Sequence, residues 1–344
     1  TMKGLSFIDK LIFCLNSILA FILLLSYVLP YLPPRHFALL SVLVLSVPFL
    51  IIANALFVIY WTLKFKKQFL LSLIILGLGY TYILSFLNFN NSENFSSKGI
   101  SIMSYNVRNF NHSTPSKTSK ELNNDALEFI TSQNLDLLCM QEYPKINHIE
   151  NHFEGYFSAV KQKSKTGFTK SGLAIFSKYE IIDSGTIDFE STGNNAMFAD
   201  LMIKKDTVRV YNIHLQSLSI DSDIEKLKEQ DSKGLIKHIA GLFSKQQDQM
   251  DLIVAHQKQS PYPFIVTGDF NNTSYSYVYR KIRGDLIDCF VSAGNGFGKT
   301  FNFKFFPLRI DFILSDPNYD VLSFTTFDKE YSDHFPVKAV LDLH

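Results

Sequence analysis

The sequence predicts an α/β sandwich, two packed β-sheets with helices outside, preceded by three transmembrane helices. Three observations predict it. Three long uncharged windows open the chain, at residues 11–34, 37–63 and 68–92. From residue 98 onward, short β-rich runs alternate with occasional long helical patterns. The composition, 47% hydrophobic, 19% charged and 14% aromatic, is too apolar for a disordered chain. At roughly 100–200 residues per domain, 344 residues allow two domains, or one large domain with an appendage. The formal net charge of +1 excludes a polycationic nucleic-acid coat and an acidic solvating tail. Cys14, Cys139 and Cys289 form no CxxC or Cys/His metal spacing. That excludes a zinc finger and a disulfide framework, while a Cys139–Cys289 bridge stays open.

Each opening window exceeds the roughly 20 residues that cross about 30 Å of hydrocarbon. Pro30, Pro33 and Pro34 punctuate the first connection, and Lys64, Lys66 and Lys67 the second. Pro48 and Asn54 interrupt the middle window, which a membrane helix tolerates when neighbours re-satisfy the backbone. A cleaved signal peptide is the alternative for the first window, but no small-x-small site follows it and two more windows do. Lys3, Lys10 and the three lysines after the second window put the N-terminus on the cytoplasmic side. An odd number of crossings then puts the body outside. The expected division is a membrane anchor at 1–87, a polar tether at 88–98 and the body at 99–344. From Lys98 onward the chain is slightly acidic, with a net charge of −3.

In the body, strands are expected at 100–105, 135–141, 173–177, 196–203, 207–214, 264–268, 310–314 and 337–341. Helices are expected at 119–133 and 235–259, where apolar residues recur near i, i+4, i+7. The charged stretch 217–233 reads as a solvated insertion, and His256 as a surface position on the second helix. Cys139, in an apolar strand, reads as core.

Polar residues fall where strands end. Asn106 follows Ile102-Met103-Ser104-Tyr105, and Glu142 follows Leu137–Gln141. Asn212 and His214 close one strand, and Asp269 and Asn271 follow Ile265-Val266-Thr267-Gly268. Asp311 lies inside an apolar run, and Asp333-His334 precedes the last strand. Singly, each reads as a turn, a cap or a hydrogen-bonded structural residue. Together they form a mixed Glu, Asp, Asn and His set without thiolates. Such a set suits a hard divalent ion and supplies a general base, a general acid and neutral donors for an oxyanion. Phosphate-ester hydrolysis needs that inventory.

Six blocks occur in order: Ser104-Tyr105-Asn106-Val107-Arg108, Gln141-Glu142, Asn212-Ile213-His214, Gly268-Asp269-Phe270-Asn271, Arg309-Ile310-Asp311-Phe312 and Ser332-Asp333-His334-Phe335-Pro336-Val337. Together they resemble the endonuclease/exonuclease/phosphatase superfamily, which includes pancreatic deoxyribonuclease, exonuclease III, neutral sphingomyelinases and inositol polyphosphate 5-phosphatases. The resemblance spans about residues 99–344. It implies a four-layer α/β sandwich and a metal-dependent phosphoric ester hydrolase, using Mg²⁺, or Mn²⁺ or Ca²⁺. It implies metal binding at Glu142, Asn106 and Asp333, and catalytic roles for His214, Asp269, Asn271, Asp311 and His334. His334 resembles a general base or phosphate contact oriented by Asp311, and Asp269 a group that positions the attacking water. Asn271 resembles a donor to the phosphoryl oxygens, and His214 a support for the leaving group. Arg108 and Asn212 are expected to bind substrate. Arg108 stands where some branches carry an Asp, which replaces a metal carboxylate with a phosphate contact.

The expected reaction is in-line attack of water on a phosphodiester. Four substrate readings remain open: a lipid-headgroup phosphodiesterase, an extracytoplasmic nuclease, a phosphatase of a soluble phosphoester, and a non-catalytic membrane-tethered binding module. The net −3 of residues 98–344 opposes tight non-specific nucleic-acid binding, which phosphate neutralisation drives. The run Phe301, Phe303, Phe305, Phe306 suits either a bilayer contact or loop packing. Expected partners are a phosphoester substrate, nucleic acid or phospholipid, and the membrane itself; no protein partner is implied. The expected location is a bacterial inner membrane, with the catalytic domain extracytoplasmic.

Overall fold

The computed structural model describes residues 5–90, 99–110, 124–144, 147–163, 171–190, 192–218, 232–303 and 306–344. Most of the expected tether, the start of the first expected helix of the body, most of the charged stretch 217–233, and Phe305 lie outside the described residues. The chain forms two compact units.

The first unit holds the described residues of Thr1–Phe86, Ser219–Gln247 and Thr273–Arg280. Its opening helices are α1 (Phe7–Ser26), α2 (Pro34–Ser41), α3 (Val47–Leu63), α4 (Phe69–Leu78) and α5 (Tyr80–Leu84). Ser6 caps α1 by accepting from the Asp9 backbone N–H. Polarity is inverted relative to an ordinary core. Phe7, Leu11, Leu15, Ile18 and Phe21 of α1 and Leu56, Ile59 and Leu63 of α3 face outward, while Asn16, Asn54 and Ser72 are fully buried. The buried groups satisfy one another. Asn16 donates to Ser72 Oγ (2.6 Å), Ser72 to Asn54 Oδ1 (2.8 Å), and Trp61 to Asn16 Oδ1 (3.0 Å).

Two stretches, Phe7–Tyr31 and Pro34–Leu63, are long and apolar enough to cross a membrane. The third expected span is not one such helix. It stops after the 10 residues of α4 and restarts as α5. The break falls at Gly79, where an added Cβ would lie 2.1 Å from the Tyr27 ring. Tyr27 in turn packs on Tyr82 at 4.7 Å and donates to the Ile75 carbonyl. Segments from the body's sequence complete this unit. Tyr275 stacks on Tyr82 at 5.6 Å, the Arg280 guanidinium lies 4.0 Å over Tyr31, and Arg35 N–H donates to Gln247 Oε1 at 2.8 Å.

The second unit is the sandwich. Its strands are β1 (Leu87–Phe89), β2 (Ile100–Asn106), β3 (Leu137–Pro144), β4 (Phe157–Lys163), β5 (Ser171–Ser177), β6 (Glu180–Asp188), β7 (Asn195–Ile203) and β8 (Asp206–His214). They continue as β9 (Phe264–Asp269), β10 (Ile287–Asp288), β11 (Asn295–Phe297), β12 (Phe301–Phe303), β13 (Phe306–Leu308), β14 (Asp311–Ser315), β15 (Asp320–Thr326) and β16 (Val337–Asp342). Further helices are α6 (Asn124–Ser132), α7 (Asn147–Glu150), α8 (Ser232–Gln257), α9 (Tyr277–Arg283) and α10 (Cys289–Ala293); parts of α8 and α9 belong to the first unit.

Two six-stranded sheets, ordered β15-β16-β2-β3-β5-β4 and β10-β14-β9-β8-β7-β6, pack face to face. Side chains alternate accordingly. Ile102, Leu137, Cys139 and Ile175 meet Met197, Ala199, Val210 and Ile265 between the sheets. Met103, Leu138, Met140 and Phe176 point the other way, against Ala126, Leu127 and Ile130 of α6. Each sheet is thus buried on both faces near its centre, which explains the continuous apolar runs there. Each also carries one parallel pair among the described strands, β2 with β3 and β8 with β9.

The expected tether begins as structure. β1 pairs antiparallel with β11. Asn88 donates to the Phe290 and Val291 carbonyls and Asn90 to the Ser292 carbonyl, so two Asn side chains satisfy carbonyls at the end of α10, which helical bonding leaves open. Cys139 and Cys289 are free and buried, and burial pushes the Cys139 thiol up to about 12. His256 is half-buried rather than a plain surface group, with Nδ1 2.8 Å from the Tyr211 hydroxyl.

Candidate active site

The polar strand ends converge because the two parallel pairs end at one rim. β2 ends at Asn106, β8 at His214 and β9 at Asp269, and Glu142 lies near the end of β3. His214 is paired with Asp269 across the parallel register, and Asp311 with Asp269 across the antiparallel one. Side chains at the carboxyl ends of such central strands share a crevice. Glu142 is placed by a β-bulge, a register shift between Gln141 and Tyr143, which re-aims the side chain.

Asp269 is the hub, and it is buried. Its Oδ2 accepts from Asn106 Nδ2 (3.0 Å) and Asn271 Nδ2 (3.1 Å), and its Oδ1 from the Asn271 backbone N–H (2.8 Å). Both site imidazoles turn Nε2 toward the same Oδ2, His214 at 3.7 Å and His334 at 3.7 Å. His334 Nδ1 lies 2.9 Å from Asp311 Oδ2. That bond orients the ring and leaves Nε2 toward Asp269. Asn106 Nδ2 also reaches Glu142 Oε1 at 3.3 Å, and Arg108 pairs with Asp333 at 3.3 Å.

Burial and charge separate the protonation states. Burial pushes Asp269 up to about 6, against the pull of His334. Burial also raises Glu142 and lowers His214. For His334 burial acts downward, but Asp311, Asp269 and Asp333 outweigh it and push the imidazole up to about 10. Near neutral pH this leaves His334 cationic, Asp269 ionised and His214 neutral.

The backbone is strained here. Arg108, Asn109, Phe110, Glu142 and Asn271 all have positive φ, at 44°, 56°, 52°, 51° and 49°. Non-glycine residues in this region cost of order 1–3 kcal/mol each and concentrate at functional sites. Buried Phe110 anchors the turn that presents Arg108. Gly268, at φ +134°, precedes Asp269, and an added Cβ would lie 2.0 Å from the Ile213 carbonyl. Gly268→Ala is expected to destabilise the fold by at least about 1–3 kcal/mol, read as a lowered melting temperature.

The donor set fits a hard divalent cation, being carboxylate and amide oxygen with imidazole and no thiolate. Asp269, Asp311 and His334 each offer a ligand atom within 4.8 Å of the others. Asp311 and His334 are committed to each other, however, so an ion there would displace their hydrogen bond. Glu142 and Asp333, about one-third exposed (33% and 31%), leave room for the water ligands that Mg²⁺ retains.

Residues 103–334 match the Endonuclease/Exonuclease/phosphatase family. The chain belongs to the endonuclease/exonuclease/phosphatase family. Residues 9–86 match a domain of unknown function (DUF8431). Solved structures share the fold. An endonuclease/exonuclease/phosphatase from Beutenbergia cavernae is 15% identical, covering 72% of this chain and 72% of that one, with a TM-score of 0.54. A family member from Bacteroides vulgatus is 20% identical over 72% of this chain and 100% of that one, with a TM-score of 0.54. D. rerio TDP2, solved with a single-strand DNA product, is 16% identical over 72% and 100%, with a TM-score of 0.52. No curated protein gives a match. Members of this endonuclease/exonuclease/phosphatase family are phosphoester hydrolases, and this chain is assigned as one.

Asn106, Glu142, His214, Asp269, Asn271, Asp311 and His334 therefore meet at one rim of this family member, with Arg108 and Asp333 paired beside them. Asn212 does not join them. It is fully buried, donates to the Met140 and Ala174 carbonyls and accepts from Gln141 Nε2 at 2.7 Å. Those bonds tie the two sheets together, which corrects the expectation that Asn212 binds substrate. Asn106 turns its amide nitrogen toward the carboxylates, while its Oδ1 accepts from the Arg108 backbone N–H. In this orientation its amide nitrogen bridges the Glu142 and Asp269 carboxylates. Sequence reasoning missed Thr300 and did not place Phe301 at the site, yet both pack on the Asp311–His334 pair.

Proposed function

We propose that this chain is a membrane-anchored, metal-dependent phosphodiesterase acting by in-line water attack, with a lipid-headgroup diester preferred to nucleic acid. One observation carries the chemistry: a buried carboxylate, Asp269, with two imidazoles 3.7 Å from the same oxygen. Glu142 and Asp333, with Asn106 turned to present its oxygen, would hold a divalent ion, Mg²⁺ by donor type; when bound it supplies Lewis-acid stabilisation of the phosphoryl oxygens. Asp269 orients the water and accepts its proton. His334, held cationic by Asp311, donates from Nε2 to the phosphoryl group. Asn271 donates to the same oxygens, neutral His214 supports the leaving oxygen, and Arg108 binds phosphate. Preorganised donors of this kind lower the barrier because charge develops where they already point.

The inverted polarity of the first unit supports membrane anchoring. Polar side chains face the bundle interior in membrane proteins and apolar ones face lipid. The Asp9–Lys64 ion pair lies at one end of α1, and Tyr27 with Tyr82 toward the other. Ser72 meets Asn16, and Ile75 meets Tyr27, so α4 and α5 carry the chain toward the tyrosine end. With the lysines cytoplasmic, the catalytic part leaves on the extracytoplasmic side of a bacterial inner membrane. By this reading the anchor is 1–87 and the catalytic domain lies within 99–344, less the segments Ser219–Gln247 and Thr273–Arg280 that belong to the first unit. The net −3 of residues 98–344 favours a lipid diester over nucleic acid.

The test is a substrate panel on detergent-solubilised protein with Mg²⁺: phospholipid and sphingomyelin vesicles, plasmid DNA, RNA and phosphomonoesters. A Glu142→Ala control is run beside it. Lipid cleavage that the control lowers at least about 100-fold is the expected result. Cleavage of DNA alone moves the assignment to a nuclease. No cleavage with Mg²⁺, Mn²⁺ or Ca²⁺ makes the chain a binding module.

A further inference from the structure

We propose that Thr300 and Phe301 are positioning residues that lock the Asp311–His334 pair in its working geometry, a role that rests on the phosphodiesterase reading above. Thr300 is fully buried, and its polar groups each tie a different segment. Its hydroxyl oxygen accepts from the backbone N–H of Ile310 (2.9 Å) and of Asp311 (3.0 Å). Its own N–H donates to the Leu308 carbonyl (2.8 Å), and its carbonyl accepts from Phe335 N–H (2.7 Å). One residue thus fixes the backbone at Asp311 and the backbone immediately after His334. These segments lie more than twenty residues apart in sequence and supply the two halves of the pair.

Phe301 adds the side-chain half of the clamp. Its backbone forms an isolated bridge with His334, and Asn302 N–H donates to the Asp333 carbonyl at 2.8 Å. Its ring lies 4.9 Å from the imidazole at 61°, an edge contact. The ring closes one face of His334 while Asp311 holds Nδ1 at 2.9 Å. An imidazole bounded in this way keeps one rotamer, and Nε2 stays aimed at Asp269. The hydroxyl at position 300 is a backbone acceptor, so its removal releases Asp311 rather than any substrate contact.

Isosteric Thr300→Val, which loses the hydroxyl, and Thr300→Ser, which keeps it and loses the methyl, separate hydroxyl from shape. In full-length detergent-solubilised protein, Thr300→Val is expected to lower kcat about 10- to 100-fold with KM unchanged, the size of effect an ångström-scale misplacement produces. Thr300→Ser is expected to stay close to wild type. The low-field proton NMR signal of His334 Nδ1–H, assigned by its loss in His334→Gln, should persist in Thr300→Ser and shift or broaden in Thr300→Val. Wild-type kcat in Thr300→Val, or a Thr300→Ser variant as slow as Thr300→Val, overturns the proposal. If Thr300→Val does not fold, Phe301→Leu decides: a similar kcat loss rescued in Phe301→Tyr supports the clamp, and full turnover in Phe301→Leu sinks it. If the wild-type protein cleaves nothing, the phosphodiesterase reading fails by itself. The NMR comparison of the Thr300 variants then still decides whether the clamp exists.

Discussion

Asp269→Ala is expected to lower kcat by about 10²–10⁴-fold, the range for loss of a positioned acid–base group, while the protein stays folded. Steady-state kinetics on the substrate found in the panel, with a melting curve alongside, checks this. The oxygen removed is the shared acceptor for Asn106 and Asn271 and the group that both imidazoles face. The backbone pairings of residue 269 with 214 and 311 do not depend on its side chain, so the rim keeps its shape. Stability should respond to pH in a fixed direction. Burial raises this carboxyl from 3.8 to about 6. The stability it contributes is therefore present below its unfolded value and lost as pH rises through about 6. Relative to wild type, chelator-treated Asp269→Ala should consequently melt higher at pH 7.5 than at pH 4.5. A constant difference between those pH values would refute the burial argument, and near-normal turnover would refute the catalytic one.

Arg209→Ala is the largest expected stability loss, about 3–5 kcal/mol, read as a strongly lowered melting temperature. Asp200 and Arg209 sit directly opposite each other on β7 and β8. The guanidinium grips the carboxylate through two bonds, of 2.6 Å and 2.7 Å, and lies 4.3 Å over the Phe198 ring. Both residues are buried, at 2% and 8% exposure. Truncating the arginine strands a carboxylate that water cannot reach, and the desolvation it has already suffered is no longer offset. Arg209→Lys should recover only part of the loss, because an ammonium cannot reproduce the planar two-bond grip or the stacking. The double replacement Asp200→Leu/Arg209→Met should be far milder than Arg209→Ala, since it removes both charges and keeps the volume. A double variant as unstable as the single one would mean that the pair itself, rather than the stranded charge, carries the stability.

The central strands were legible in the amino-acid order and the edge strands were not. The runs at 100–105, 173–177, 196–203, 207–214, 264–268 and 337–341 fall on β2, β5, β7, β8, β9 and β16 within a residue or two. Their two-sided burial demands unbroken apolar text. β4, β6 and β15 escaped the pattern, and all three lie at sheet edges. An edge strand has one unpaired side and tolerates polar residues, as in Glu180–Asp188, where only Ile187 is buried. The short helix α10 and the pairing of β1 with β11 were likewise hidden, because a two-Asn cap reads as a polar linker until its acceptors are known.

The residue types of the candidate site and their order were determined by the sequence alone, and so was the presence of an apolar front end. Strand ends mark the rim of any packed sandwich, so a carboxylate, Asn or His placed there is visible before folding. Which of them meet was decided only by tertiary structure. Asn212 and His214 stand two residues apart, yet Asn212 is spent between the sheets while His214 reaches Asp269. Nothing in the sequence distinguishes them, because burial of each depends on the facing sheet. Thr300 carried no sequence signal at all, since its hydroxyl acquires meaning only when the chain around residues 310 and 335 folds back onto it. Helix length was also a tertiary matter. The third apolar window is continuous in composition, but the Tyr27 ring and Gly79 divide it, because a close side-chain approach can break a helix that hydropathy alone would continue.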